Sequence, residues 1–279
     1  MKSSYTITSV TQSRKLNALI LFRLFIILTL IIIICLGLLG TSFAQARLEI
    51  PKKGEFKLEK DTLVVDELII GDSAKIILTK PSSLIKARHI VMGTRVRIMG
   101  LGDKGVNGRN GRTAAQPEGA CKHGRHGEDG KPGSAGAAGK NLILDVNILT
   151  IQAMLIINLA GGNGGDGGTG GDGSQGSNSV GHCVSNGGNG GAGGNGGAAG
   201  SGGNLTIINS LTATELSSKI SLYNRGGYKG IGGEGGVPGQ RGTGAASESK
   251  LGLAGKVGIA GIQGIDGKAL FYSVIQATQ

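Results

Sequence analysis

The chain has 279 residues, of which 55 are glycine, 5 are proline and none is tryptophan, and aromatic residues make up only 3%. So few large apolar side chains, above all in the second half, exclude a conventional globular core there. The formal net charge of +11 suits either a solvated surface or an anionic partner such as a polysaccharide, lipid headgroups or nucleic acid.

Residues 1–46 have the layout of an export signal. Basic residues precede a continuous apolar run from Leu24 to Gly40, and the small residues Ala44 and Ala46 flank a signal-peptidase type of cleavage site. We expect cleavage there and a secreted or cell-surface protein, which would be membrane-anchored only if the signal stays uncleaved. Four cationic residues lie in this segment, so the rest of the chain carries +7.

Short β-branched runs fill residues 47–101, among them Leu68 to Ile70 and Ile76 to Leu78. Glycine, proline and serine separate the runs, and no helical period fits them. They predict a base of short strands. Runs of the same type return at 140–160, 204–226 and 268–277, so the chain has a unit of roughly 60 residues that suggests successive coils of a parallel β-helix.

Glycine at every third residue defines six tracts between these runs. We number them in chain order: Gly102–Gly111, Gly124–Gly139, Gly161–Gly176, Gly188–Gly203, Gly227–Gly242 and Gly252–Gly267. The period of three predicts polyproline II helices with bare faces, whose backbones can approach closely and hydrogen-bond to each other. The predicted fold class is therefore mainly β and irregular: a short parallel β-helix-like strand region with three projecting hairpins of polyproline II helices, interleaved over 102–279.

Tracts 3 and 4 are largely of the form Gly-Gly-x, with two bare faces, so we expect them in the centre of the bundle and the other four at its edges. The glycines that we predict to be structural are Gly161, Gly164, Gly167, Gly170, Gly191, Gly194, Gly197, Gly200, Gly230, Gly233, Gly258 and Gly261.

The turns at the far ends of the tracts are predicted at 112–123, 177–187 and 243–251. Cys121 lies in the first and Cys183 in the second, and two cysteines in an exported chain most often pair. A disulfide here would clamp two neighbouring turns.

The tracts carry a resemblance. A bundle of glycine-rich polyproline II helices resembles the snow flea type of antifreeze protein and the glycine-rich receptor-binding domains of phage tail-fibre adhesins. The stretch GGAGGNGGAAG in tract 4 looks like the PGRS repeats of mycobacterial surface proteins. This resemblance implies either surface adhesion or ice binding.

Other interpretations are weaker. A collagen-like triple helix would need longer tracts and more proline. GGNGGDGGT in tract 3 nearly matches a calcium-binding nonapeptide, but Asp166 and Asp172 fit solvated side chains better. Cys121, His123, His126, His182 and Cys183 could hold zinc, although a disulfide is favoured. We predict no metal or other cofactor.

Catalytic motifs are not recognisable in the sequence, so we predict that the protein is not an enzyme. An enzyme of this fold would need an acidic cleft among the strands, for which Asp145 and Glu215 are too few. In tract 6, the residues Leu253, Ile259, Ile262 and Ile265 share one register. We expect this stripe to pack against its neighbours, with an exposed binding or oligomerisation ridge as the alternative.

We therefore predict an exported structural or adhesive protein, a rigid scaffold that presents its turns to an anionic polysaccharide or another cell-surface ligand. The alternatives are an ice- or crystal-surface binding protein and a collagen-like surface protein. No specific nucleic acid is expected as a partner, and the sequence leaves the oligomeric state open.

Overall fold

The computed structural model describes residues 45–178, 181 and 183–273. Contacts divide the chain into two units, residues 1–44 and residues 45–279, and only the second is described here. Most of the predicted export signal, with Ala44, lies outside the described residues, whereas Ala46 falls within the first strand. Among the described residues, no helix combines the length and apolar content that a membrane crossing requires.

Eleven strands and one helix make up the regular structure of the described residues. In chain order they are β1 (Gln45–Ile50), β2 (Glu55–Leu58), β3 (Thr62–Ile70), β4 (Lys75–Leu78), β5 (Ser82–Met92), β6 (Arg97–Met99), β7 (Asn141–Ile151), β8 (Leu155–Asn158), β9 (Leu205–Asn209), α1 (Ala213–Lys219), β10 (Ile220–Tyr223) and β11 (Ala269–Ser273).

Consecutive strands alternate between two sheets, and every pairing is parallel. The six-stranded sheet has the order β1-β3-β5-β7-β9-β11, and the five-stranded sheet has the order β10-β8-β6-β4-β2. The pairing is in register, so like residues stack: Ile76 pairs with Ile98, and Ile98 with Ile157. The side chains of all three are fully buried, and such apolar ladders fix the register of a parallel sheet.

The core lies between the two sheets. Strand residues alternate between buried and less buried positions, as in β4 and β9, which is the period of two that a half-buried strand requires. Leu68, Ile90 and Leu149 come from neighbouring strands and form one buried row. The core therefore belongs to the strands, and the glycine tracts contribute almost no apolar side chains to it.

Tight turns join the first strands of the two sheets. Lys53, Ser73 and Arg95 occupy equivalent places in three successive turns and have φ values of 59°, 57° and 56°. Asp72 stabilises one of them, because its Oδ1 accepts hydrogen bonds from the Thr94 N–H (2.8 Å) and hydroxyl (3.0 Å). These bonds lower the pKa of Asp72 below its ordinary value of 3.8.

The predicted fold class, a parallel β-helix-like region with projecting hairpins of polyproline II helices, is wrong. The structure contains two parallel sheets, of six and five strands, and little helix. Short β-branched runs indicate strands, but their spacing does not determine how the strands are shared between sheets. Strands from 47–101 and from the later apolar blocks all join the same two sheets.

The polyproline II, collagen-like and repeat interpretations are corrected as well. None of the six tracts forms a regular helix or strand, and their N–H groups bond to carbonyl groups of the same chain, whereas a collagen helix joins three chains. The unit of about 60 residues is also inexact, since equivalent side-chain bonds join residues 59, 63, 64 or 65 positions apart. Glycine spacing indicates close approach between backbones, but not which backbones meet.

Candidate binding site at the tips of the glycine tracts

The glycine tracts lie side by side in three pairs, each inserted between a strand of the five-stranded sheet and a strand of the six-stranded sheet. Pair 1 (tracts 1 and 2) lies between β6 and β7, pair 2 (tracts 3 and 4) between β8 and β9, and pair 3 (tracts 5 and 6) between β10 and β11. Backbone hydrogen bonds of 2.7 to 2.9 Å join the tracts of each pair to those of the next. Pair 2 lies between the other two, as the Gly-Gly-x composition of its tracts requires.

Each Gly-Gly-x unit of tract 3 bonds in two directions. The Gly161 N–H donates to the carbonyl of Arg225, just before tract 5 (2.9 Å), and the Gly162 N–H donates to the Ala137 carbonyl of pair 1 (2.8 Å). A Cβ on either glycine would lie about 2 Å from a carbonyl oxygen, at 2.1 Å from Gly200 and 2.0 Å from Asp103 respectively. Two glycines in every three residues are therefore needed in the middle of the stack.

The twelve glycines predicted to be structural all lie where the backbone of a neighbouring tract leaves no room for a Cβ. At each of the twelve positions, a Cβ would come within 2.2 Å of a backbone oxygen in a neighbouring tract. Real Cβ atoms do not approach so closely, so any side chain at these positions must push two backbones apart. The tracts consequently form a layer in which backbone, rather than apolar side chains, makes the contacts.

Polar side chains at the remaining positions bond to the backbone of the next pair. Asn163 and Asp166 accept hydrogen bonds from the N–H groups of Tyr228 and Ile231 (both 2.9 Å), and Asp172 accepts from the Val237 N–H (2.8 Å). Asp166 and Asp172, the two carboxylates of the possible calcium site, therefore accept hydrogen bonds from backbone N–H groups. Within the described residues, no group of three His, Cys, Asp or Glu side chains could hold a metal ion.

The histidines near the tips have the same role. His123 Nδ1 accepts a hydrogen bond from the Asn186 N–H (3.0 Å), and His126 Nδ1 accepts from the Asn189 N–H (2.7 Å). Both rings join pair 1 to pair 2. His182, the third histidine considered for zinc, lies outside the described residues.

The turns that end the pairs, which we call tips 1, 2 and 3 (112–123, 177–187 and 243–251), are fastened to each other. Cys121 in tip 1 and Cys183 in tip 2 form a disulfide. The Ser185 hydroxyl lies 2.8 Å from the carbonyl oxygens of both Lys122 and Ser177. The Ser185 N–H donates to the hydroxyl of Ser249 in tip 3 (3.0 Å), so all three tips are connected.

A polar cleft opens between these tips. It has a volume of about 440 Å³, and its polar lining side chains include Gln116, Gln175, Ser177, Asn178 and Thr243. Amide and hydroxyl groups both donate and accept hydrogen bonds, which is what recognition of a polyhydroxylated ligand needs. Gln175 is held in place by its own bond from Nε2 to the Arg241 carbonyl (3.3 Å).

The charge around the cleft is positive. The tips contain three Lys and Arg residues against two Glu residues, and with Arg125 and Arg241 beside them the formal charge is +3. A ligand with acidic groups would therefore be attracted to the tips more than a neutral one.

The sequence could not reveal this cleft. Its residues come from all three tips and from the end of tract 3, so they are far apart in the chain, and isolated amides in turns have no motif. The only signal was the pair of cysteines, which brought tips 1 and 2 together.

The two carboxylates considered for an acidic cleft are already engaged. Asp145 forms an ion pair with Lys86 at 2.8 Å, and Glu215 accepts from the N–H of Thr212 (2.8 Å) at the start of α1. A larger open cleft of about 740 Å³ lies among the strand connections, but lysines (Lys60, Lys80) as well as acids (Glu59, Asp61) line it.

The apolar stripe of tract 6 does not pack against neighbouring tracts. Leu253, Ile259, Ile262 and Ile265 are 70%, 73%, 77% and 75% exposed. The packing that we expected from the sequence is therefore wrong, and the stripe is a surface ridge.

Comparison of the chain with protein-family models, with curated proteins and with solved structures finds no match. The site must therefore be interpreted from its own geometry.

Proposed function

We propose that the protein is an exported, non-catalytic structural or adhesive protein whose tips bind a glycan. The observation that carries the proposal is the polar cleft between tips that are fastened to each other by a disulfide and by buried serine hydroxyls. A binding site gains affinity when its groups are held in place before the ligand arrives.

Acidic glycans are the favoured class, because the tips together with Arg125 and Arg241 beside them carry a formal charge of +3. Screening by salt reduces attraction between exposed charges. Binding should therefore weaken as salt increases, and acidic glycans should bind more tightly than neutral ones of the same size.

The test is binding of residues 45–279 to a glycan array, followed by calorimetry with the strongest ligand. We expect Gln175→Ala and Asn178→Ala each to weaken binding about 2- to 10-fold, the loss that corresponds to one hydrogen bond. Gln240→Ala is the matched control, because Gln240 is exposed on tract 5 and does not line the cleft. Unchanged affinity in the Gln175 and Asn178 double variant would refute recognition by the cleft.

Ice binding is the weaker candidate. A face that orders ice would need regular small side chains, whereas the exposed row on tract 6 carries lysine and isoleucine. Thermal hysteresis of the purified protein measures this alternative directly.

A further inference from the structure

The ridge on tract 6 continues in the same register to a lysine just beyond each end of the tract. Lys250, Leu253, Lys256, Ile259, Ile262, Ile265 and Lys268 follow each other at every third residue. Three residues of extended chain span about 10 Å, so the row is long and narrow. Four of its seven members are large aliphatic residues that are at least 70% exposed.

The backbone contacts direct this row away from the rest of the protein. Carbonyl groups of Leu253, Ile259 and Ile262 face tract 4, where they accept hydrogen bonds of 2.8 to 2.9 Å from the N–H groups of Gly190, Gly196 and Ala199. Asn189 and Asn195 of tract 4 cover the N–H groups of Leu253 and Ile259. Both backbone groups are satisfied internally, so the side chains are left to project outward.

Packing does not require aliphatic side chains in this row. The equivalent row on tract 4 carries Asn189, Ala192, Asn195, Ala198 and Ser201, and small or polar residues serve there. An exposed apolar row of this length is typical of an interaction surface.

The charge of the lysines indicates whether a second copy of the chain could cover the ridge. Two copies of the ridge packed antiparallel about Ile259 would place Lys250 of each copy against Lys268 of the other, with no acidic residue in the row to compensate. Two acids lie close to the row in the chain: Asp266, which accepts a hydrogen bond from the Gly226 N–H (2.8 Å) beside tract 5, and exposed Glu248, two residues from Lys250. The three lysines of the row still outnumber these two acids. A second copy is therefore disfavoured by charge.

We propose that the ridge docks on an anionic lipid bilayer, with its aliphatic side chains in the headgroup and acyl boundary and its lysines at the headgroups. Surfaces that combine large aliphatic residues with lysine bind in this way, through apolar burial together with attraction to anionic lipid. This role is separate from glycan binding, because no residue of the row lines the cleft.

The experiment is co-sedimentation of residues 45–279, which contain all of the described core, with phosphatidylcholine vesicles with and without phosphatidylglycerol. We expect binding to the anionic vesicles. Replacing Ile259 and Ile262 by Asn should weaken it at least 30-fold, since partial burial of each isoleucine contributes about 10-fold. Lys256→Gln should weaken it about 5-fold, because one lysine near an anionic surface contributes about 1 kcal/mol.

Val106→Asn is the matched control, because Val106 is 74% exposed but lies on tract 1 in the pair farthest from the ridge. It should bind like the unchanged protein. The proposal is overturned by absence of binding to both kinds of vesicle, by equal binding to both, or by an equal loss in the control. A concentration-dependent dimer that the two isoleucine substitutions abolish would assign the ridge to a second copy and also overturn the proposal. Glycan binding by the same variants is measured separately, so failure here leaves the function of the tips to be judged on its own.

Discussion

Replacing Gly167 by alanine tests whether backbone contact holds the tracts together. Gly167 is in tract 3, in the middle of the stack, and a Cβ there would lie 1.9 Å from the Gly194 oxygen and 2.9 Å from the Gly233 nitrogen. All of these atoms are backbone, so no side chain can rotate away. Tracts 3 and 4 must separate by more than 1 Å, on the order of the difference from an ordinary contact distance.

That separation would disturb three hydrogen bonds: Gly167 N–H to the Ile231 carbonyl, Gly194 N–H to the Gly168 carbonyl, and Gly233 N–H to the Gly194 carbonyl. At about 1 kcal/mol each, their loss costs roughly 3 kcal/mol. Alanine also lowers the conformational entropy of the unfolded chain, which stabilises the fold by about 0.4–1 kcal/mol. We expect a net destabilisation of about 2 kcal/mol, or a decrease of roughly 4–8 °C in Tm for a chain of this size.

The assay is thermal unfolding followed by circular dichroism. Thr169→Ala is the control, because Thr169 is in the same tract but exposed, and its Tm should change little. Equal Tm values for the two variants would refute the argument that the glycines are required by close approach.

Three further predictions concern other parts of the fold. Replacing Cys121 and Cys183 by serine opens a disulfide with a sequence separation of 62 residues, and should lower the free energy of unfolding by about 4 kcal/mol, as denaturant titration would measure. Asp72→Asn should lower Tm at pH 7. Because the bonds from Thr94 lower the pKa of Asp72 below 3.8, the contact stabilises the fold above that pH and is lost as the pH falls through the lowered pKa, so the two Tm values should converge in acid. Ile157→Ala removes a fully buried side chain and should cost about 2–5 kcal/mol in urea unfolding; a cost below 1 kcal/mol would contradict its place in the core.

The strands could be predicted from the sequence, but their arrangement in two sheets could not. Leu68 to Ile70 and Ile76 to Leu78 read as strands from their β-branched composition, and they lie in β3 and β4. Nothing in either run specifies that these neighbours belong to different sheets. That outcome depends on the left-handed turn at Ser73, a conformation that serine seldom adopts and that its sequence context does not reveal.

The glycine tracts were also predictable only in part. Their period of three indicates which residues must lack a side chain, because that requirement is local to each position. The direction in which a remaining side chain points depends on the neighbour that each tract finds. Ile262 was expected to pack inside and is instead on the surface, since tract 6 is the last of the stack.

The contacts between tracts also couple their lengths. A point substitution at an outward position alters one side chain, but a single inserted or deleted residue would put every later glycine of that tract out of phase with the carbonyl groups facing it. Only insertions or deletions in multiples of three residues preserve this phase. The residues added to a lengthened tract would have no neighbouring backbone to bond to unless the adjacent tracts lengthened as well. Variation in this architecture should therefore be tolerated as exchange of residues long before it is tolerated as a change of length.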